Sequence, residues 1–88
     1  MDKKEGYKIL KEDGHKNIVD IKKPSNYFLD KHAHDFAVDL IVLSGDLEIN
    51  LTDSSIMLCS GSRLKLKKNV IHTEKAGKKG VHFLSARL

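Results

Sequence analysis

The chain has no tryptophan, one proline, one cysteine and five aromatic residues among 88. Each shortage excludes something. The single cysteine, Cys59, permits no internal disulfide, so the fold rests on its apolar core, and the sequence reads as that of a cytoplasmic protein in a reducing compartment. Cys59 itself reads as a small residue packed on a strand. No run of about 18 apolar residues is present to cross a membrane. The opening Met1-Asp-Lys-Lys-Glu-Gly6 carries charges with no apolar stretch behind them, unlike a signal peptide. The aromatics (Tyr7, Tyr27, Phe28, Phe36, Phe83) are not interleaved with basic residues as in a base-stacking surface, which argues against nucleic acid as a partner. No capped helical pattern of ten or more residues stands out, and no repeat or linker divides the chain. One domain, residues 1–88, is expected, because a second core would leave each half too little apolar surface.

Charge is plentiful but uneven. Of the net +4, residues 63–88 hold eight Lys or Arg against one acid, Glu74, while residues 1–62 hold eight against eleven. Such asymmetry can mark a phosphate-binding face. Here Lys65, Lys67 and Lys68 lie on and after a strand pattern, and Lys75, Lys78 and Lys79 crowd around Gly77 and Gly80, as solvated turn residues do.

The hydrophobic pattern has period two. Gly6–Leu10 and Lys16–Lys22 read as extra N-terminal strands within residues 1–24, with Ile18 inward together with Val19 or Ile21. Pro24 and Ser25-Asn26 interrupt the pattern. In Asp46–Leu51, Leu47, Ile49 and Leu51 take one face while Asp46, Glu48 and Asn50 take the other. Thr52–Ser55 then turns the chain into Ile56–Cys59, a hairpin. Arg63–Lys67 is another strand, Lys68-Asn69 a turn, Gly77–Gly80 the last turn and Val81–Arg87 the last strand. Short strands at regular spacing predict an all-β barrel or sandwich.

Residues 32–45, His-Ala-His-Asp-Phe-Ala-Val-Asp-Leu-Ile-Val-Leu-Ser-Gly, carry the chemistry. His32 and His34 are two apart, which on an extended strand places both imidazoles on one face. His72 closes a later strand-rich segment and can meet them across a barrel. His15 and His82 read as surface or packing residues, and Phe36 and Phe83 as core or pocket wall.

His32-Ala-His34 followed by Ile41-Val-Leu-Ser-Gly45 resembles the first motif of the cupin superfamily. Gly61 with His72 eleven residues later resembles the second. Lys67 stands where that motif usually has proline and Asn69 where it has glycine; asparagine is the best substitute at positive φ. The resemblance spans roughly residues 25–88. It implies a double-stranded β-helix, a jelly-roll barrel, with a divalent metal ion (Zn, Fe, Ni or Mn) held by His32, His34 and His72. The acid that usually joins them does not match: its position is Val38, while Asp39 and Asp35 have the wrong parity for the same face. Glu74 shares parity with His72 and can sit near the pocket.

Three imidazoles leave coordination positions open, and a centre short of a carboxylate favours an anionic small-molecule ligand such as a carboxylate. The resemblance leaves three readings open: a metal-dependent enzyme acting on a small acid, a binding or sensing module without turnover, and a metal-free scaffold. A homodimer is expected, since an open barrel of this size has a sheet edge to cover.

Overall fold

The computed structural model describes residues 1–88 as one helix and six strands: α1 (Lys3–Glu12), β1 (Ile18–Lys23), β2 (Phe28–His32), β3 (Val38–Asn50), β4 (Ser55–Leu58), β5 (Arg63–Leu66) and β6 (His72–Arg87). The frame is the antiparallel pair β3–β6, which runs from Val38 opposite Arg87 to Asn50 opposite Thr73. Each long strand serves two layers. Val38–Ile41 pairs with β5 and Leu47–Asn50 with β4, while Val81–Ala86 pairs with β1 and the start of β6 with β2. The layers β1–β6–β3–β5 and β2–β6–β3–β4 fold over one another as a double-stranded β-helix, the expected all-β jelly roll.

The bend between layers is where the sequence shows turns. Ser44-Gly45-Asp46 and Gly77–Gly80 do not end strands; they are irregularities inside β3 and β6, at which the register shifts. Gly45 has φ +78°, and a Cβ there would lie 2.1 Å from the Gly80 carbonyl oxygen. Gly80 has φ +75°, and a Cβ there would lie 2.5 Å from the Lys23 carbonyl oxygen. Only glycine allows both the left-handed backbone and this approach.

Alternation assigns the two faces. Val38, Leu40, Val42, Leu47, Ile49, Leu58, Leu66, Ala76, Val81 and Phe83 form the core between the layers. Ile41, Leu43, Leu84 and Ala86 point the other way and form a second cluster with Leu10 of α1. The β3–β4 hairpin, the β5 strand and the burial of Leu47 and Ile49 are as the pattern predicts.

The N-terminus is a correction. Gly6–Leu10, expected as a strand, lies within a ten-residue helix. The Asp2 side chain accepts the Glu5 amide, and the chain leaves the helix through Gly14 at φ +87°. Gly6 and Leu10, one turn apart, form the buried face, and Gly6 has no room for a side chain: a Cβ would stand 2.8 Å from Leu43 Cδ2. Ile18 likewise faces the helix cluster, leaving Val19 and Ile21 to line the barrel. Cys59, expected on a strand, is exposed just past the end of β4, with its amide bonded to Ser62 Oγ. No helix of the chain is long and apolar enough to cross a membrane.

Candidate metal centre

His32 ends β2 and His72 opens β6, and the two are register partners. Between Leu29 and His32 the register shifts, so the strand is re-aimed just before the histidine. His34 lies in the connection to β3. That connection is held from the opposite side by Asn69, whose amide donates to the His34 carbonyl at 2.7 Å. Asn69 has φ +66°, the left-handed conformation for which asparagine replaces glycine in the motif. The turn before His72 therefore fixes the loop that carries His34.

Ligating atoms of His32, His34, His72 and Glu74 all lie within 4.8 Å of one another. The ring centroids of His32 and His72 are 4.1 Å apart, and that of His34 lies 5.0 and 5.5 Å from them. Nδ1 of His32 is 2.8 Å from the Asp30 carbonyl and Nδ1 of His72 is 2.9 Å from the Val70 carbonyl. A carbonyl only accepts, so both Nδ1 atoms donate and carry the proton. In the neutral rings Nε2 is then a bare lone pair, the form a metal binds, with the outer hydrogen bond orienting the ring.

Both Nε2 atoms face the same Glu74 Oε2, at 3.0 and 3.4 Å. Lone pairs on nitrogen and carboxylate oxygen repel unless positive charge lies between them. Protons on both rings would set two imidazolium ions against each other; one divalent cation satisfies all the donors at once. The donor set of three imidazoles and a carboxylate fits a borderline divalent ion such as Zn, Fe or Ni. His34 adds to this: burial, then the neighbouring His32 and His72, lower its pKa below the ordinary 6.5, which keeps its nitrogen unprotonated near neutral pH.

Glu74 supplies a carboxylate where β3 does not. Val38, at the position where the resemblance expects an acid, is on the cavity wall. Asp39 points to the opposite face and is 1% exposed. It accepts from Arg63 Nε and Nη2 at 2.8 and 2.7 Å and pairs with His15 Nε2 at 2.8 Å. Burial pushes the Asp39 carboxyl up, and the hydrogen bonds from Arg63 and His15 more than reverse this, so its pKa lies below 3.8. Arg63 also binds Asp13, just past α1, so this cluster fastens the helix to the barrel. His15, read as a surface or packing residue, is a member of that buried cluster; His82 pairs with Asp20 near the surface.

The three histidines read from the sequence are thus brought together. Glu74 was legible only through its parity with His72. His34, His72 and Glu74 border a cavity of about 300 Å³ between the layers, lined mostly by apolar side chains. Phe36 stacks on His34, with centroids 5.0 Å apart and planes 22° apart, and Phe83 and Tyr27 are also on the wall. Two cations reach it as well, Lys23 and Arg87, which sequence reasoning had not singled out. Their signal was the same alternation that places Ile21 and Phe83 inward.

No protein-family model matches the chain, and no curated protein matches it in sequence. Solved structures do match. An RmlC-like cupin from Shewanella frigidimarina shares 18% identity over 80% of this chain and 63% of its own, with a TM-score of 0.69. A cupin-2 domain-containing protein from the same organism shares 24% over 81% of this chain and 67% of its own, at 0.63. Oxalate decarboxylase from Bacillus subtilis shares 17% over 80% of this chain, at 0.70, although the chain spans only 20% of its length. The chain has the cupin fold.

Proposed function

We propose that this small domain of the cupin fold holds one divalent metal ion through His32, His34, His72 and Glu74 and uses it to bind a small carboxylic acid in the adjoining cavity. The observation that carries the reading is the convergence of two Nε2 atoms, on rings oriented by backbone carbonyls, on one carboxylate oxygen. When bound, the ion supplies a Lewis acid with positions left for ligand oxygen. The chain's own residues do the rest. The Asp30 and Val70 carbonyls orient two rings, Phe36 holds the third, and the apolar wall excludes water from a ligand's body. Glu74 is the only carboxylate on the cavity wall, and it is committed to the histidines. With no second acid to move a proton, binding without turnover is the reading that the wall favours over general acid–base catalysis.

Elemental analysis of protein purified without a histidine tag, after exposure to Zn, Mn, Ni or ferrous ion and desalting, tests this. One metal per chain is expected, lost in both His32→Ala and His72→Ala. Absence of stoichiometric metal under every condition would overturn the metal centre. A screen of small carboxylic acids for binding and for oxygen uptake tests the second half; conversion of any of them would replace binding by catalysis. The expected homodimer and cytoplasmic location stay part of this proposal, with light scattering as the check on the first.

A further inference from the structure

The inner face of β6 changes character toward its end. Val81 and Phe83 are core residues, and by the same alternation Ser85 and Arg87 also border the cavity. Buried Ser85 breaks the apolar pattern of this face, and Arg87, at the end of the strand, is exposed where a ligand would enter. Ser85 is 6% exposed. Arg87 lies along the face of Phe36, its guanidinium carbon 5.1 Å from the ring centre.

Charge bears this out. Arg63, Lys3 and Lys8 all have carboxylates within 4.0 Å. Arg87 and Lys23, the two cations on the cavity wall, instead lie against aromatic rings, Phe36 and Tyr27, at 5.1 and 4.7 Å. The single acid on that wall, Glu74, is taken by His32 and His72. The cavity therefore has unneutralised positive charge beside an apolar wall. Of its two cations only Arg87 joins the histidine cluster through a shared ring: Phe36 stacks on His34 at 5.0 Å and carries the guanidinium at 5.1 Å, so the two groups are at most about 10 Å apart. A guanidinium with no carboxylate partner has its fork of N–H donors, the form matched to a carboxylate, free for a ligand.

We infer that Arg87 is the specificity-determining anchor of this cavity, binding the carboxylate of a small monoanionic acid whose apolar or aromatic body lies along Phe36 and Phe83. This deepens the proposed function and rests on its reading of the cavity as the ligand site, but the contact itself does not require the metal. The body of the ligand fills the apolar wall, and a second oxygen at its far end, the one the proposed metal would take, faces the histidine cluster.

Benzoate and its neutral analogue benzamide are the probes, titrated by NMR chemical-shift perturbation into protein with and without added zinc. Benzoate is expected to bind at least tenfold tighter than benzamide and to shift the Arg87 side-chain Nε–H resonance. Arg87→Gln should remove that preference while leaving benzamide binding unchanged, and Arg87→Lys should restore it only in part. Lys23→Gln should leave it intact. Equal binding of benzoate and benzamide by the unaltered protein, an unchanged benzoate preference in Arg87→Gln, or its loss in Lys23→Gln alone would overturn the assignment. Metal content measured on the same samples separates the two proposals. Benzoate binding that depends on Arg87 in protein unable to take up metal sustains this one and sinks the metal centre. Stoichiometric metal with no benzoate preference does the reverse.

Discussion

Two carboxylates compete for the role of fourth ligand, and isosteric amide substitutions separate them. Asp39 is on the helix-facing side of β3, where it accepts three hydrogen bonds from Arg63 and His15 at 2.7–2.8 Å. Asp39→Asn keeps the shape but removes the charge and presents an N–H₂ group to donors. A hydrogen bond to a charged group contributes about 1.5–3 kcal/mol, and breaking one side of a buried pair costs about 3–5 kcal/mol. The low end applies, because Arg63 is 29% exposed and retains Asp13. We therefore expect a loss of about 3 kcal/mol, which for a domain of this size lowers the Tm by about 15 °C. Metal stoichiometry in Asp39→Asn should be unchanged. Glu74→Gln should behave in the opposite way: a change in metal-free stability within about 1 kcal/mol and metal affinity reduced at least about tenfold. Thermal melts followed by circular dichroism, paired with competitive zinc titration, read both. Loss of metal without loss of stability in Asp39→Asn would refute the placement of these two acids.

The same cluster sets an acid limit. The folded Asp39 pKa lies below its ordinary 3.8, so as pH falls the unfolded chain takes up the proton first. Its contribution is whole above about pH 4 and is lost as pH drops through the folded value; urea midpoints should fall over that range in the native chain and less in Asp39→Asn. Gly45→Ala places a methyl against the Gly80 carbonyl in addition to the left-handed strain, whereas Gly61, at φ +88°, has open space around it. Gly61→Ala should cost about 1–2 kcal/mol, and Gly45→Ala clearly more, as compared by chemical denaturation. Leu10→Ala should cost about 2–5 kcal/mol by opening a cavity under α1, without altering metal stoichiometry.

Much of the site was legible because period two is strict on a strand. The exclusion of Asp39 and the eligibility of Glu74 follow from counting residues along β3 and β6, whereas His34 meets His32 from the connection to β3, which Asn69 holds, and not as its neighbour on a strand. The helix α1 was missed for a related reason. Gly6-Tyr-Lys-Ile-Leu10 satisfies a short strand template, and its interior glycine lowers helix propensity. Yet Asp2 with Glu5 three residues later is a helix start signal, and Asp13-Gly14 a stop. Tertiary packing decides in favour of the helix: Gly6 lets its backbone approach Leu43 and Leu84, and Leu10 becomes fully buried there. Turn residues misled in another way. Gly45 and Gly80 mark left-handed backbone correctly, but the strands bend there and continue, a distinction that depends on the partner strand.

By itself, then, the sequence determined the β alternation and the face that each residue of a strand occupies. Those are local properties, set by side-chain periodicity and by backbone angles. Only the tertiary structure decided that Glu74 joins the histidines, that Asp39 instead locks the helix through Arg63 and His15, and that Arg87 reaches Phe36 beside His34. The first two come from direct strand pairing, β2 with β6 and β3 with β5, whereas the bend at Gly45 and Gly80 brings the two halves of β6, with His72 and Glu74 on one and Arg87 on the other, onto one cavity wall.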